Sequence, residues 1–508
     1  MSNLGNSKLI AKNTFLLYIR TFIVLLVSIF TSRVVLNVLG ETDYGIYNIV
    51  GGFVAMFGLL SSTLTAASQR FISFELGKTN SSSDLQKTFS VTVLIHIALA
   101  IIIFILLESF GLWFVNYKMN IDSDRLFAAN IVFQCSVLTF CINIISIPYN
   151  AEIIAHERMD VFAYISIIEV VFKLCVAYLL VIFLGDKLII YAIMMLGIAL
   201  ILRLIYGIFC KRNYSECKFV YVKEKDRYKE ILSFCSWNII GSSSVILNSQ
   251  GINLLINLFF GVLLNAARGL AEQINSALNS FVANFMTALN PQITKCFAAK
   301  EYGRLNELII FGGKLAFCLL WLISFPVITQ INVLLSIWLI EVPEHTASFV
   351  ILALVYTLCQ SLSQTLYTAM LASGNIKKYQ ITVGSISLCA FPITYFFYKC
   401  GLPVEFGYVS TIIISIACLI ARLVILPSVV PMFCSSRYIK SVIFRALCIS
   451  ISTIVVYYIP FQYIATYINP LGAFFMALSI AFVCIIIFGF TIQERKQILS
   501  YMIRRISH

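Results

Sequence analysis

Residues 89–116 read FSVTVLIHIALAIIIFILLESFGLWFVN, a run in which Glu108 is the only charged residue. An α-helix needs about 20 apolar residues to cross the hydrocarbon core of a bilayer, and this segment is longer. Similar runs recur throughout the 508 residues, of which 60% are hydrophobic and 12% charged, with a mean hydropathy of +0.93. A soluble domain carries about twice that share of charge, which excludes a soluble enzyme or a disordered chain. The runs are long enough for membrane-spanning helices, and they lack the alternation of apolar and polar residues that is typical of β-barrel strands. They therefore predict an all-α polytopic membrane protein.

Apolar stretches of about 20 residues predict fourteen transmembrane helices. They cover residues 14–38, 45–68, 89–116, 126–150, 162–184, 187–209, 231–258, 266–290, 308–333, 347–372, 381–398, 405–426, 442–459 and 472–492. The connecting segments are too short for a soluble catalytic or nucleotide-binding domain.

Faint internal repetition divides these helices into two halves. Three short matches occur in the same order and at nearly the same separation, and they begin at Gly40 and Gly261, Gln69 and Gln292, and Tyr149 and Tyr367. Because each half has six helices, both halves begin on the same side of the membrane. They are therefore predicted to form a parallel repeat, related by a pseudo-two-fold axis along the membrane normal. The predicted domains are an N-terminal six-helix lobe (1–210), a cytoplasmic linker (211–230), a C-terminal six-helix lobe (231–426) and two appended helices with a basic tail (427–508).

The basic residues predict the orientation of the chain. Of the 36 lysines and arginines, 24 lie in alternate connecting segments that include both termini, five lie in the opposite segments, and seven lie within spans. The positive-inside rule therefore predicts that both termini are cytoplasmic. Most of the net charge of +13 is a topology signal and does not indicate nucleic-acid binding. The basic segment 211–229 is interpreted as a solvated linker, with recruitment of anionic lipid as the alternative.

Polar residues follow one face of the seventh and eighth spans, within an arc of about 120° at 100° per residue. On the seventh they are Asn238, Ser242, Ser249, Gln250, Asn253 and Asn257. On the eighth they are Asn265, Arg268, Glu272, Asn275, Ser276, Asn279 and Asn290. Lipid cannot satisfy such rows, so both faces must contact protein or water. Two interpretations of these rows remain: the side chains form hydrogen bonds between helices, or they line a hydrated cavity. The length of the rows favours the cavity.

Two arginines flank a milder polar stripe on the first span. Arg20 and Arg33 lie on either side of a row formed by Thr21, Ser28 and Ser32. Each arginine is near an end of the span, so it either faces a cavity or snorkels to an interface.

Other charged residues within the membrane divide into pairs and single residues. Glu169 and Lys173 are four residues apart, as are Arg268 and Glu272, which predicts helical ion pairs. The two acids are also candidates for coupling to a proton or sodium gradient. Lys314 has no acid at helical spacing, which makes it a candidate ligand for an anion. The seven bases outnumber the two deep acids in the spans, so we expect an anionic cargo.

The sequence predicts no metal site, cofactor or catalytic group. The fifteen cysteines lack a CxxC motif, and the four histidines, His96, His156, His345 and His508, form no cluster in sequence. No nucleophile–base arrangement is visible, so an enzyme is not predicted.

Three motifs carry a family resemblance: LGETDYGIY at 39–47, QRFISFELGK at 69–78 and PYNAEIIAHERM at 148–159. Because of these motifs, the sequence resembles the multidrug/oligosaccharidyl-lipid/polysaccharide exporter superfamily, and within it the polysaccharide-flippase branch. The resemblance covers nearly the whole chain. The resemblance implies a MATE-like fold in the bacterial plasma membrane. It also implies transfer of a polyprenyl-diphosphate-linked glycan to the outer leaflet, for O-antigen or capsule synthesis, through a cavity lined by the first two helices of each lobe.

These expectations combine into a predicted mechanism of alternating access. Arg20, Arg33, Lys314 and Arg268 would hold the diphosphate, and the polar faces of the seventh and eighth spans would accept the sugars, while the lipid tail stays in the bilayer. A polysaccharide polymerase and chain-length proteins are candidate partners. The alternatives are a cation-coupled MATE-type drug exporter, a lipid II flippase and a membrane-embedded glycosyltransferase. Drug-exporting relatives usually place an acid in the N-terminal cavity, whereas the first span here has arginines only.

Overall fold

The structure is a computed structural model, and its regular elements are all helices in the residues that it describes. These residues are 2–55, 57–78, 82–117, 119, 121–183, 185–260, 262–339, 342–461, 469–490 and 494–495. Contacts divide the chain into two compact units. Unit 1 contains residues 1–242 and 287–299, and unit 2 contains residues 243–286 and those after 299.

Unit 1 contains the α-helices of the N-terminal part of the described chain. They are α1 (Ser2–Ala55), α2 (Gly58–Gly77), α3 (Ser82–Leu106), α4 (Leu112–Tyr117), α5 (Leu126–Ala155), α6 (Met159–Ile182) and α7 (Lys187–Asn213). Two further helices, α8 (Lys225–Phe260) and α9 (Val262–Ala298), each contribute residues to both units. The unit boundaries therefore fall inside helices, while the predicted domain limits at 210 and 231 stay predictions.

Unit 2 contains the remaining helices. They are α10 (Tyr302–Thr329), α11 (Ile331–Trp338), α12 (Thr346–Ser361), α13 (Gln364–Ser373), α14 (Lys377–Leu388), α15 (Ala390–Lys399), α16 (Phe406–Ile425), α17 (Ser435–Tyr438), α18 (Phe444–Val456) and α19 (Pro470–Cys484).

A helix occupies each of the fourteen predicted spans, which confirms the all-α fold. Among the described residues, ten helices are long and apolar enough to cross a membrane, and the pair α12 and α13, bent by 42°, makes an eleventh. The other three predicted spans correspond to α2, α8 and α9. All three helices contain serines, and each also carries charged residues.

The first predicted span continues into the second without an intervening loop. Gly40 interrupts α1 with φ 79° and ψ 170°, a positive φ that glycine adopts without the strain of a Cβ atom. The second predicted span is then made of the end of α1 followed by α2. The glycine in the first family motif therefore redirects the chain between two membrane helices.

The core of unit 1 lies between α3, α5 and α7. Phe89, Ile153 and Cys210 are almost fully buried there and pack together. A second cluster joins Leu17 of α1, Ile154 and Met159 to Ala288 near the end of α9. Burial of such side chains fixes the C-terminal part of α9 within unit 1.

Gly77, at the end of α2, is a point of close backbone approach. A Cβ atom there would lie 2.5 Å from the carbonyl oxygen of Lys295 and 2.6 Å from its Cα atom. Because backbone cannot yield as a flexible side chain does, we expect Gly77→Ala to destabilise the protein by about 1–3 kcal/mol. Thermal unfolding of the purified protein measures this. Gly303→Ala is the matched control, since a Cβ at that helical glycine meets nothing within 4 Å; equal effects of both changes would contradict the prediction.

Candidate functional site

The polar stripe of α1 lines a cavity within unit 1. This α1–α6 cavity has a volume of about 220 Å³. Its polar lining residues are Ser28, Thr31, Ser32, Tyr44, Tyr47, Lys173 and Tyr191. Two of the predicted stripe residues, Ser28 and Ser32, therefore face a cavity. Lys173 brings one positive charge to its wall, and it is paired with Glu169 at 2.6 Å between Nζ and Oε1, as the spacing predicted.

A second cavity in unit 1 is larger and carries no formal charge. The α1–α5 cavity has a volume of about 410 Å³ and shares Tyr47 with the first. Its polar lining residues on α5 are Ser136, Thr139 and Asn143. Hydroxyl, amide and aromatic groups of this kind suit the hydroxyl-rich surface of a sugar. These α5 residues were missed from the sequence, although their spacing of three and four places them on one helix face.

Arg20 and Arg33 differ in their surroundings. The guanidinium carbon of Arg20 lies 5.0 Å from the centre of the Phe162 ring. Its Nε atom is buried without a hydrogen-bond acceptor, and Glu169 acts on it only through longer-range electrostatics. Arg33 is exposed and does not line either cavity. Neither arginine forms an ion pair with a carboxylate in the described part of the chain.

Arg268 belongs to a polar network inside unit 2. Its guanidinium carbon lies 5.4 Å from the centre of the Tyr408 ring. The side chain is buried, and its Nε and Nη1 atoms have no hydrogen-bond acceptor. The ion pair with Glu272 that helical spacing predicted is not formed. Instead, the hydroxyl of Tyr408 on α16 donates to Glu272 Oε1 at 2.9 Å.

The same network extends from α9 to α12. Asn275 Nδ2 donates to Glu272 Oε2 at 3.2 Å, and the Thr357 hydroxyl donates to Asn275 Oδ1 at 2.6 Å. Hydrogen bonding between helices therefore accounts for the centre of the eighth-span stripe. Asn279, one turn further along, is exposed, whereas the side chain of Asn265 lies outside the described part of the structure.

The seventh-span stripe is only partly described. Asn238 is buried, at 1% exposure, and Asn253 is half-buried. The side chains that lie outside the described part of the structure are those of Ser242, Ser249, Gln250 and Asn257. The predicted cavity face on this helix stays a prediction.

Lys314 has an acidic partner, contrary to its interpretation as an unpaired charge. Its Nζ atom lies 2.5 Å from Glu494 Oε1, and Arg445 Nη1 lies 3.8 Å from the other oxygen. Lys314 is 4% exposed. The partner comes from the far C-terminal part of the chain, beyond the reach of helical spacing. The expectation that Lys314 is unpaired is therefore wrong: Lys314 forms an ion pair with Glu494, whose side chain is 36% exposed.

A model of the polysaccharide biosynthesis protein family matches residues 10–297. That is more than half of the chain. The chain belongs to the polysaccharide biosynthesis protein family. The match covers the three motifs and the helices that line both cavities of unit 1. No curated protein matches the sequence.

Solved structures show the fold of this polysaccharide biosynthesis protein. A MATE protein in complex with MaD3S is similar, with a TM-score of 0.70 and 11% identity over 84% of this chain and 97% of that chain. A MOP superfamily transporter from Pyrococcus furiosus Vc1 has a TM-score of 0.70 and 12% identity over 84% and 96%. An outward-facing multidrug resistance MATE transporter has a TM-score of 0.69 and 12% identity over the same shares. Family and fold together support a multi-pass membrane transporter.

Within this family member, the third motif forms a junction at one end of unit 1. Glu157 has a positive φ of 61°, and its carboxylate accepts hydrogen bonds from Gln292 at 2.9 Å and Lys295 at 2.8 Å. Its backbone oxygen accepts from Asn13 at 3.1 Å. The motif residue therefore ties the end of α9 to the loop between α5 and α6.

Proposed function

We propose that the protein moves a polyprenyl-diphosphate-linked oligosaccharide from the inner to the outer leaflet of the bacterial plasma membrane, for surface polysaccharide synthesis. The observation that supports this proposal is the lack of hydrogen-bond acceptors around the side chains of Arg20 and Arg268. Each has at least one buried guanidinium nitrogen without an acceptor, and neither forms an ion pair among the described residues. A buried guanidinium nitrogen without an acceptor is costly, so these groups suit an anionic ligand such as a diphosphate.

The neutral lining of the α1–α5 cavity supports the sugar part of the cargo. Tyr47, Ser136, Thr139 and Asn143 offer hydroxyl and amide groups without charge. Arg33 keeps its assignment as a diphosphate ligand, whereas Lys314 loses it because Glu494 already neutralises its charge.

The membrane potential gives such a cargo a driving force. Moving an anion outward across a membrane that is negative inside is favourable by about 2.3 kcal/mol per charge per 100 mV. Both termini are cytoplasmic in this proposal, and a polymerase and chain-length proteins receive the product. Glu272, which accepts hydrogen bonds from Tyr408 and Asn275, is the candidate for proton or sodium coupling.

Deletion of the gene in its native host tests the proposed function. We expect surface polysaccharide to be lost and polyprenyl-linked oligosaccharide to accumulate, because synthesis on the inner leaflet continues without export. Accumulation of lipid II instead would identify a peptidoglycan flippase. Unchanged lipid intermediates with sensitivity to cationic drugs would identify a drug exporter, a function that the half-buried acid Glu272 favours.

Complementation of that strain tests the arginine assignment separately. We expect Arg20→Ala to lower surface polysaccharide about tenfold at equal protein level, since a hydrogen bond to a charged group is worth about 1.5–3 kcal/mol. Arg20→Lys should restore part of the export because it retains the charge. Arg304→Ala is the matched control, because Arg304 pairs with Glu301 on the protein surface. If the Arg20→Ala variant exports normally, Arg20 is not a ligand of the diphosphate. The proposed function itself is tested by the deletion strain.

A further inference from the structure

Glu152, His156 and Glu216 converge at one end of unit 1, away from both cavities. Glu152 and His156 are four residues apart at the end of α5, and Glu216 lies in the short turn Ser215–Cys217 after α7. His156 Nε2 is 2.7 Å from Glu216 Oε1 and 3.3 Å from Glu152 Oε1. One ligand atom from each residue lies within 4.8 Å of the others.

Two carboxylates share a single imidazole nitrogen in this cluster. Nε2 carries at most one hydrogen, so it cannot donate fully to both acids. Glu152 is completely buried, and neither of its oxygens has a hydrogen-bond partner of normal geometry. A buried carboxylate in this state is stabilised either by a proton or by a cation beside it.

Hydrogen bonding and ring stacking hold Glu216 and His156 in place. Ser215 donates to the second oxygen of Glu216 at 3.2 Å, which orients that carboxylate. The ring of His156 stacks on Tyr214, with centroids 4.2 Å apart, which fixes the imidazole plane.

We propose that Glu152, His156 and Glu216 bind a divalent transition-metal ion, of the class of Zn²⁺ or Mn²⁺. One imidazole nitrogen and two carboxylate oxygens match the ligands of these ions, whereas Mg²⁺ and Ca²⁺ prefer oxygen alone. Around a tetrahedral ion with bonds of about 2.0–2.2 Å, ligand atoms lie about 3.3 Å apart, within the spread found here. His156 is 27% exposed, which leaves an entry path and a position for water.

The ion would link two segments that are distant in sequence. It joins the end of α5 to the segment that follows α7, next to the Glu157 junction with α9. Because a ligand that binds only the folded state stabilises it by mass action, bound metal would raise the thermal stability of unit 1. This inference does not depend on the transported cargo.

Metal binding by the purified, untagged full-length protein in detergent tests the proposal, after chelator treatment. We expect one Zn²⁺ per chain by equilibrium dialysis, a higher unfolding temperature with Zn²⁺, and a Co²⁺ absorption spectrum typical of nitrogen and oxygen ligands. His156→Gln and Glu216→Gln should each weaken Zn²⁺ affinity at least about tenfold, with unchanged helical circular dichroism.

His345→Gln is the matched control, because His345 contacts one carboxylate, that of Glu405, at 2.5 Å, and it should bind Zn²⁺ like the wild type. Absence of stoichiometric binding by the wild type would overturn the proposal and leave a proton-bridged cluster. Wild-type affinity in both His156→Gln and Glu216→Gln would overturn it as well, since the ion would then lie elsewhere.

Discussion

Arg268→Met is expected to reduce the proposed polysaccharide export about tenfold or more while leaving the protein at least as stable as the wild type. The reason is that the Nε and Nη1 atoms of Arg268 are buried without hydrogen-bond acceptors. Charge-assisted contacts to a diphosphate are worth about 1.5–3 kcal/mol, and each 1.4 kcal/mol is about a factor of ten. Removing an uncompensated buried charge should not lower stability, because no native ion pair is lost.

Export in the deletion strain and thermal unfolding of the purified variant are the two measurements. Arg422→Met is the matched control, since Arg422 is also an arginine of a membrane helix but donates to Tyr379 at 3.0 Å and Ser363 at 2.7 Å. We expect this control to lower stability, because it leaves two hydroxyl groups without their partner. If Arg268→Met destabilises the protein as much as Arg422→Met does, then Arg268 has a structural role and not a ligand-binding one.

Arg125→Ala is expected to destabilise unit 1 by about 2–3 kcal/mol. One guanidinium holds two carboxylates: it forms a two-bond contact with Asp43 and donates through Nη1 to Asp186 at 2.7 Å. Asp186 in turn caps α7 by accepting from the backbone amides of Leu188 and Ile189. The arginine thus joins the segment after Gly40, the start of α5 and the start of α7, and its loss leaves two like charges facing each other.

Chemical or thermal denaturation of the purified variants measures this effect. A triple variant, Arg125→Met with Asp43→Asn and Asp186→Asn, should regain stability relative to Arg125→Ala, because it leaves no unpaired carboxylate. Arg158→Ala is the matched single control, since its pairing with Asp160 is largely exposed and worth at most about 1 kcal/mol. Equal destabilisation by the triple variant and by Arg125→Ala would show that charge balance is not the cause.

The sequence predicted the helical architecture because hydropathy is a local property. Each of the fourteen apolar stretches contains helix, and the Glu169–Lys173 pair lies where a spacing of four places it. Ser28 and Ser32 of the polar stripe on α1 line a cavity within unit 1. These successes rest on periodicity within one helix, which does not require knowledge of any neighbour.

Predictions about charged side chains were less accurate, because their partners come from other helices. Lys314 was interpreted as an unpaired cation, yet Glu494 neutralises it. Arg268 was paired with Glu272 by spacing, yet Tyr408 of α16 donates to that carboxylate. Glu108 was omitted from the deep acids identified in the sequence. Its Oε2 atom accepts a hydrogen bond from Gln134 of α5 at 2.9 Å. A single sequence contains no information on which helices are neighbours.

Sequence alone therefore determined that this is an all-helical membrane protein of the polysaccharide biosynthesis family, with a polar stripe on its first helix. Only the tertiary structure decided which charges are neutralised and which lack a partner. It also brought Glu152 of α5 and His156, the residue that follows this helix, together with Glu216 from beyond α7. The physical reason is that burial and periodicity act along a helix, whereas charge pairing depends on distances of a few ångströms between distant parts of the chain.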